Sequence, residues 1–164
     1  MKKIFIVICF LISAGYSFSQ DTHWSSFSYY YSNGPVSPEY QYNYRIIMNE
    51  FGEGVYVYTN SKGTKQYDFS ISGKKLKKFN RTFKKSFIFS AGAEEMKSEK
   101  NLMGGPEKEL EVTMWQSPDL DAKPRTINIP SHLNEKYSEE MDCIIKQIEN
   151  LVPKSIKDKA KDQK

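Results

Sequence analysis

YQYNYRIIMN, residues 40–49, alternates, with Ile47 the one apolar residue on the polar side. Tyr40, Tyr42, Tyr44, Ile46 and Met48 share one side, and Gln41, Asn43, Arg45 and Asn49 share the other. Strand side chains point to opposite faces in turn, so strict period two marks a strand with one face buried. The same rhythm precedes it. In WSSFSYYYS, residues 24–32, Phe27, Tyr29 and Tyr31 fall on one face, with Ser28, Tyr30 and Ser32 on the other. NGPVSPE breaks the two runs with Gly34, Pro35 and Pro38, a loop composition. After residue 49, EFGEG turns the chain into GVYVYTN, and SKG turns it again into TKQYDFSIS. Four aromatic and β-branched runs joined by short turns predict an antiparallel meander.

The period then changes. In GKKLKKFNRTFKKSF, residues 73–87, Leu76, Phe79, Phe83 and Phe87 fall within an arc of about 80° at ~100° per residue. This predicts an amphipathic helix, with Ser72 placed to cap it. Residues 91–107 read as a long polar connection. KELEVTMWQ is a strand with Leu110, Val112 and Met114 on one side, and RTINIP is a short strand with Ile127 and Ile129 inward. A last helix runs from about Asn134 to Leu151, with Tyr137, Met141, Ile144, Ile145, Ile148 and Leu151 on one face and Pro153 as its stop. Strands in runs, not in βα alternation, imply an α+β fold: an antiparallel sheet of about six strands with helices packed on one face.

The N-terminus, MKKIFIVICFLISAGYSFSQ, has the anatomy of an export signal. Lys2 and Lys3 precede a short apolar run, and Ser17 and Ser19 stand where a signal peptidase reads small residues. Cleavage is expected between Ser19 and Gln20, leaving a periplasmic or extracellular protein with no transmembrane anchor. Cys9 lies inside the apolar run, so a lipoprotein reading is rejected. Residues 20–153 then form one domain, and residues 154–164 a lysine-rich tail expected to be disordered. Losing Lys2 and Lys3 lowers the basic count from 24 to 22, against 20 acidic residues. The tail carries much of what remains, so the basicity argues weakly for nucleic acid, and none is expected as a partner. Only Cys143 survives cleavage, which excludes an intramolecular disulfide and leaves an intermolecular one conceivable.

GPVSPEY, residues 34–40, together with a final helix ending in LVP at residues 151–153, resembles small uncharacterised exported bacterial (Bacteroidota-like) proteins with a GPxxPxY turn. The resemblance implies export and an α+β domain, and it implies no activity.

Residues 27–44 hold six of the chain's eleven tyrosines. Most share faces with Phe27, Ile46 and Met48, so a buried face is the ordinary reading, with hydroxyls reaching the sheet's rim. Aromatic rows also stack sugar rings or form protein interfaces. The ligand or interface candidates are those off the core face or near the loop: Tyr30, Tyr40, Tyr56, Tyr58, Trp24 and Trp115. A second surface is the lysine face of the first helix. Lys74, Lys77, Lys78, Arg81, Lys84 and Lys85, with Lys75 among them, carry one sign of charge and suit an anionic partner.

Catalytic and metal signatures are thin. His23 and His132 stand in no metal-ligand spacing, and Asp119 and Asp121 form a lone DxD. No catalytic residue, metal or cofactor is assigned. The expected function is a non-enzymatic exported binding or interaction module, whose partner is a protein, a cell-wall polymer or an anionic surface. Two alternatives stand beside it: a small exported inhibitor or accessory protein using the 33–39 or 91–107 loop, and a hydrolase with an unrecognised carboxylate site.

Overall fold

In a computed structural model, residues 23–99, 104–115 and 123–162 are described. The export segment and the Asp119/Asp121 pair lie outside them. Six strands form a single antiparallel sheet: β1 (His23–Ser32), β2 (Tyr42–Asn49), β3 (Glu53–Asn60), β4 (Gly63–Ser70), β5 (Glu107–Trp115) and β6 (Arg125–Ile129). Their spatial order is β4-β3-β2-β1-β5-β6. The first four strands are the expected meander. The chain then leaves the β4 edge, passes through helical structure, and returns to pair β5 with the free side of β1.

The helical elements are α1 (Gly73–Phe83), a 3-10 turn (Phe87–Phe89), α2 (Ala93–Met96), α3 (Glu135–Leu151) and α4 (Lys154–Lys161). Phe79 and Phe83 of α1, Ile88 of the 3-10 turn, and Ile144, Ile148 and Leu151 of α3 join one core with Phe27, Ile46, Met48, Leu110 and Val112. The sheet therefore has a covered face and an open face. On the open face, Tyr30, Arg45, Ile47, Val55 and Val57 are half-buried or exposed.

Alternation places most side chains correctly, but not Trp24. By parity it opposes Phe27 and belongs outside. Trp24 pairs with Met114 while Ser26 pairs with Thr113, so Ser25 is an extra residue, a β-bulge. The bulge reverses the parity and turns Trp24 inward, where it is 1% exposed. Its ring meets Phe79 and Phe83 edge-on at 6.0 and 5.8 Å, and its indole N–H donates to Asn80 Oδ1 at 3.0 Å.

α1 begins where Ser72 caps it by accepting from the Lys75 N–H. It ends at Phe83, one turn earlier than its apolar spacing suggests. Phe87 is still buried; it sits on the 3-10 turn, stacks on Tyr137 at 4.5 Å and donates its backbone N–H to Glu140 Oε1. The 91–107 connection is also less open than its polarity implies. Met96 of α2 is buried, and the backbone beside it bonds to the segment before α3 through Ser98 N–H to His132 O and Asn134 N–H to Met96 O.

The segment expected to be a disordered tail is helix α4. Ile156 and Ala160 recur one turn apart, and Ala160 is fully buried against the core. Two docked apolar residues suffice because α4 follows α3 directly through Pro153, so little chain has to be ordered to bring them there. α4 also helps to end α3. The last turn of α3 has no basic residue of its own. Lys75 Nζ donates to the carbonyls of Asn150 and Leu151 at 2.6 and 3.2 Å, and Lys157 Nζ donates to that of Glu149 at 2.7 Å. Cations at a helix C-terminus satisfy orphan carbonyls and the helix dipole, typically by about 0.3–1 kcal/mol each. Lys75→Met is expected to lower stability by about that amount in urea unfolding, while Lys74→Met on the open side of α1 changes it by less than ~0.3 kcal/mol. Equal effects of the two would contradict the capping role.

Candidate functional site

The tyrosines converge at one end of the covered face. Strand register brings them together: Tyr31 pairs with Tyr44, and Tyr44 with Tyr58. Tyr31 and Tyr44 stack at 5.0 Å, Tyr42 and Tyr58 at 6.0 Å, and Tyr44 leans on Tyr56 at 5.7 Å. Aromatic cross-strand pairs of this kind contribute roughly 0.2–1 kcal/mol each. Tyrosine suits the place because the ring packs on the sheet while the hydroxyl reaches toward the helices.

The helices leave a gap above these rings. A cavity of about 290 Å³ is lined by Tyr31, Tyr42, Tyr44, Tyr56 and Tyr58 from the sheet, Glu149 from α3, and Lys157 and Lys161 from α4. Tyr44 Oη donates to Glu149 Oε1 at 2.5 Å and ties the floor to α3. Lys157 is held by the Glu149 carbonyl. Burial, reinforced by the bond to Glu149, raises the Tyr44 phenol well above its ordinary range. Burial also raises Tyr56, with Tyr58 as the next cause, and raises Tyr42 and Tyr58. All four are therefore neutral hydroxyls at any physiological pH. Behind them, Tyr29 Oη is buried beside Tyr44 with no hydrogen-bond partner among the described residues.

A wider hollow of about 650 Å³ lies over Ile47, Val55, Asp68 and Ser70. It is shallow and open, and its Asn49 and Glu53 side chains are bonded to each other at 2.8 Å, so it does not bury a ligand as binding sites do.

The residues singled out from sequence separate into several places. Tyr56 and Tyr58 belong to the cavity, but not as surface residues. They are 2% and 7% exposed, because pairing opposite Ile46 and Tyr44 puts them on the covered face. Trp24 is a core residue for the reason given above. Tyr30 lies on the open face under the Arg45 guanidinium, 5.1 Å from its ring centre. Tyr40 precedes β2 in the loop and is 70% exposed, and Trp115 stands on the open face. Lys74, Lys77, Lys78 and Arg81 are exposed along α1; just beyond its end, Lys84 is half-buried and Lys85 exposed. None of these basic residues reaches the cavity.

Cys143 is exposed on α3. His132 is exposed, and His23 faces Glu50 at 3.2 Å. Among the described residues, no group of three His, Cys, Asp or Glu side chains is placed to hold a metal ion.

Sequence reasoning missed Glu149, Lys157 and Lys161. The signal for the lysines was present: Ile156 and Ala160 share a helical spacing, and Lys157 and Lys161 repeat it one residue later. Glu149 carried no signal, because it sits at the flank of an apolar helix face, as many solvated glutamates do. No family model matches the chain, and no curated protein matches it.

Proposed function

We propose that this chain is an exported, non-enzymatic binding module whose ligand site is the tyrosine-lined cavity between the sheet and helices α3 and α4. One observation carries the reading. Five phenols, a carboxylate and two ammonium groups from three separate parts of the chain line one partly open hollow. Sites for small ligands are concave, mostly apolar and furnished with a few placed polar groups. The case for export rests on the leader-like residues 1–19; no helix among the described residues is long and apolar enough to cross a membrane.

The cavity sets a size. About 290 Å³ lies just below the ~300–1,000 Å³ range typical of ligand pockets, which suits one ring and not a length of polymer. A screen of the purified chain by NMR shift perturbation is the test. It should include neutral sugars, sugar acids, amino acids, nucleosides and quaternary amines. A ligand that perturbs α4 and the β2–β3 end of the sheet is expected, with affinity falling about tenfold or more in Tyr42→Ala. Hits that bind Tyr42→Ala and Tyr58→Ala unchanged would place the site elsewhere and defeat the reading.

A second reading, a docking loop for a protein partner, has its own support. Asn33 braces the 33–41 loop on both sides, donating from Nδ2 to Tyr40 O and accepting at Oδ1 from the Tyr42 N–H. The braced loop presents Val36 and Tyr40 outward.

A further inference from the structure

The cavity has a chemical bias that narrows its ligand. Its phenols can donate or accept, its two ammonium groups only donate, and its one carboxylate only accepts. The Tyr44 proton is taken by Glu149 Oε1, and one of the three Lys157 donors by the Glu149 carbonyl. The Tyr56 and Tyr58 rings are buried, but their hydroxyls make no hydrogen bond among the described residues and, unlike that of Tyr29, are not sealed from solvent. Lys161 stands one turn beyond Lys157, lines the same space, and forms no ion pair among the described residues. It is close enough to Tyr42 to act on that phenol electrostatically.

A ligand that fills the cavity displaces solvent from these hydroxyls and from Lys161, so it must bring acceptors to replace those hydrogen bonds. Neutral phenols and an ammonium group together suit an oxyanion, which accepts at every oxygen and donates nowhere. Glu149 supplies the complementary feature. Its second oxygen carries no bond among the described residues and is an acceptor for a ligand hydroxyl.

We propose that the tyrosine cavity takes a small hydroxylated ring acid, with its oxyanion at Lys161 and the nearby phenols and a hydroxyl at Glu149. The inference rests on the reading of this cavity as the ligand site. The oxyanion is a carboxylate, as in a sugar acid, or a phosphate, as in a sugar phosphate; both present the same acceptors. The single-ring size follows from the cavity volume, and the hydroxyl requirement separates this class from simple aromatic acids.

The test is a titration of the purified chain with glucuronate, glucose 6-phosphate, glucose and inorganic phosphate, followed by amide shifts in α4 and around Tyr42 and Tyr58. At least one of the two acids is expected to bind about tenfold or more tightly than glucose, and the two arms show which oxyanion is preferred. Added salt should weaken that binding. Lys161→Gln should remove most of the advantage without changing the thermal melt, since Lys161 is exposed.

Glucose binding as tightly as both acids would overturn the inference and leave the binding module intact. Failure of both acids would overturn it as well, and a neutral or cationic hit from the wider screen would then identify the true class. Inorganic phosphate matching glucose 6-phosphate, with no effect of Tyr42→Ala, would reduce the site to a surface ammonium group and also overturn it.

Discussion

Trp24→Ala is expected to lower unfolding stability by about 3–5 kcal/mol, while Trp115→Ala stays within about 0.5 kcal/mol of the parent. The first removes an indole that is 1% exposed and meets the Phe27, Phe79 and Phe83 rings; the second removes one that is 48% exposed on the open face. Truncating Trp24 forfeits the burial of a large ring and leaves a cavity between β1 and α1 that well-packed neighbours fill only in part. It also strips Asn80 Oδ1 of its donor. At about 2–4 °C per kcal/mol for a domain of this size, the melt should fall by about 6–20 °C. These are the chain's only two tryptophans, so Trp115→Phe isolates Trp24 as a fluorophore. Its emission should be blue-shifted in the folded state and move red on unfolding. Similar costs for the two alanine variants, or a solvent-like emission from Trp24, would mean that the bulge at Ser25 does not turn this ring inward.

Gly54→Ala should cost about 1–3 kcal/mol, and the cost should vanish when Phe69 is also changed to alanine. Glycine in a strand is ordinarily a weakness, and alanine there would gain roughly 0.5–1 kcal/mol of backbone entropy. Here sterics win. A methyl group at Gly54 would meet the Phe69 ring at 2.5 Å, closer than carbon atoms approach. Gly54 and Phe69 are paired across β3 and β4, and the ring lies over the space that the missing side chain leaves. The ring must then tilt against its neighbours or swing off the edge strand into water. Either route loses burial of a side chain that is 8% exposed. In the Phe69→Ala background the clash is gone and only the backbone gain remains, so the coupling between the two sites should exceed ~1 kcal/mol. Equal costs of Gly54→Ala in both backgrounds would show that the ring does not cover this glycine.

The two residues illustrate how far periodicity reaches. Alternation in residues 40–49 and helical spacing in 73–87 and 134–151 were enough to read six antiparallel strands, two long amphipathic helices and one shared core. That works because burial rewards each element for presenting one apolar face, and the reward is written residue by residue. It fails wherever one extra residue interrupts the count. Ser25 is such a residue, and nothing in WSSF marks it. Composition also misled for residues 154–161. Lysine content suggested disorder, yet Ile156 and Ala160 recur at one helical turn and dock.

The candidate site was legible in its materials and hidden in its arrangement. The density of tyrosine pointed to the right strands. The choice of Tyr30, Tyr40, Trp24 and Trp115 beside Tyr56 and Tyr58 mixed three environments, because the faces of β3 depend on pairing with β2 and not on β3 alone. Glu149 and Lys161 join the tyrosines only after α3 has crossed the sheet and α4 has folded back beside it. Local preference thus specified the strands, the helices and the sidedness of the sheet, since each depends on neighbours a few residues away. Register, the bulge, and the meeting of β2, β3, α3 and α4 around one cavity belong to the tertiary structure, because those contacts join residues more than a hundred positions apart and no local pattern records them.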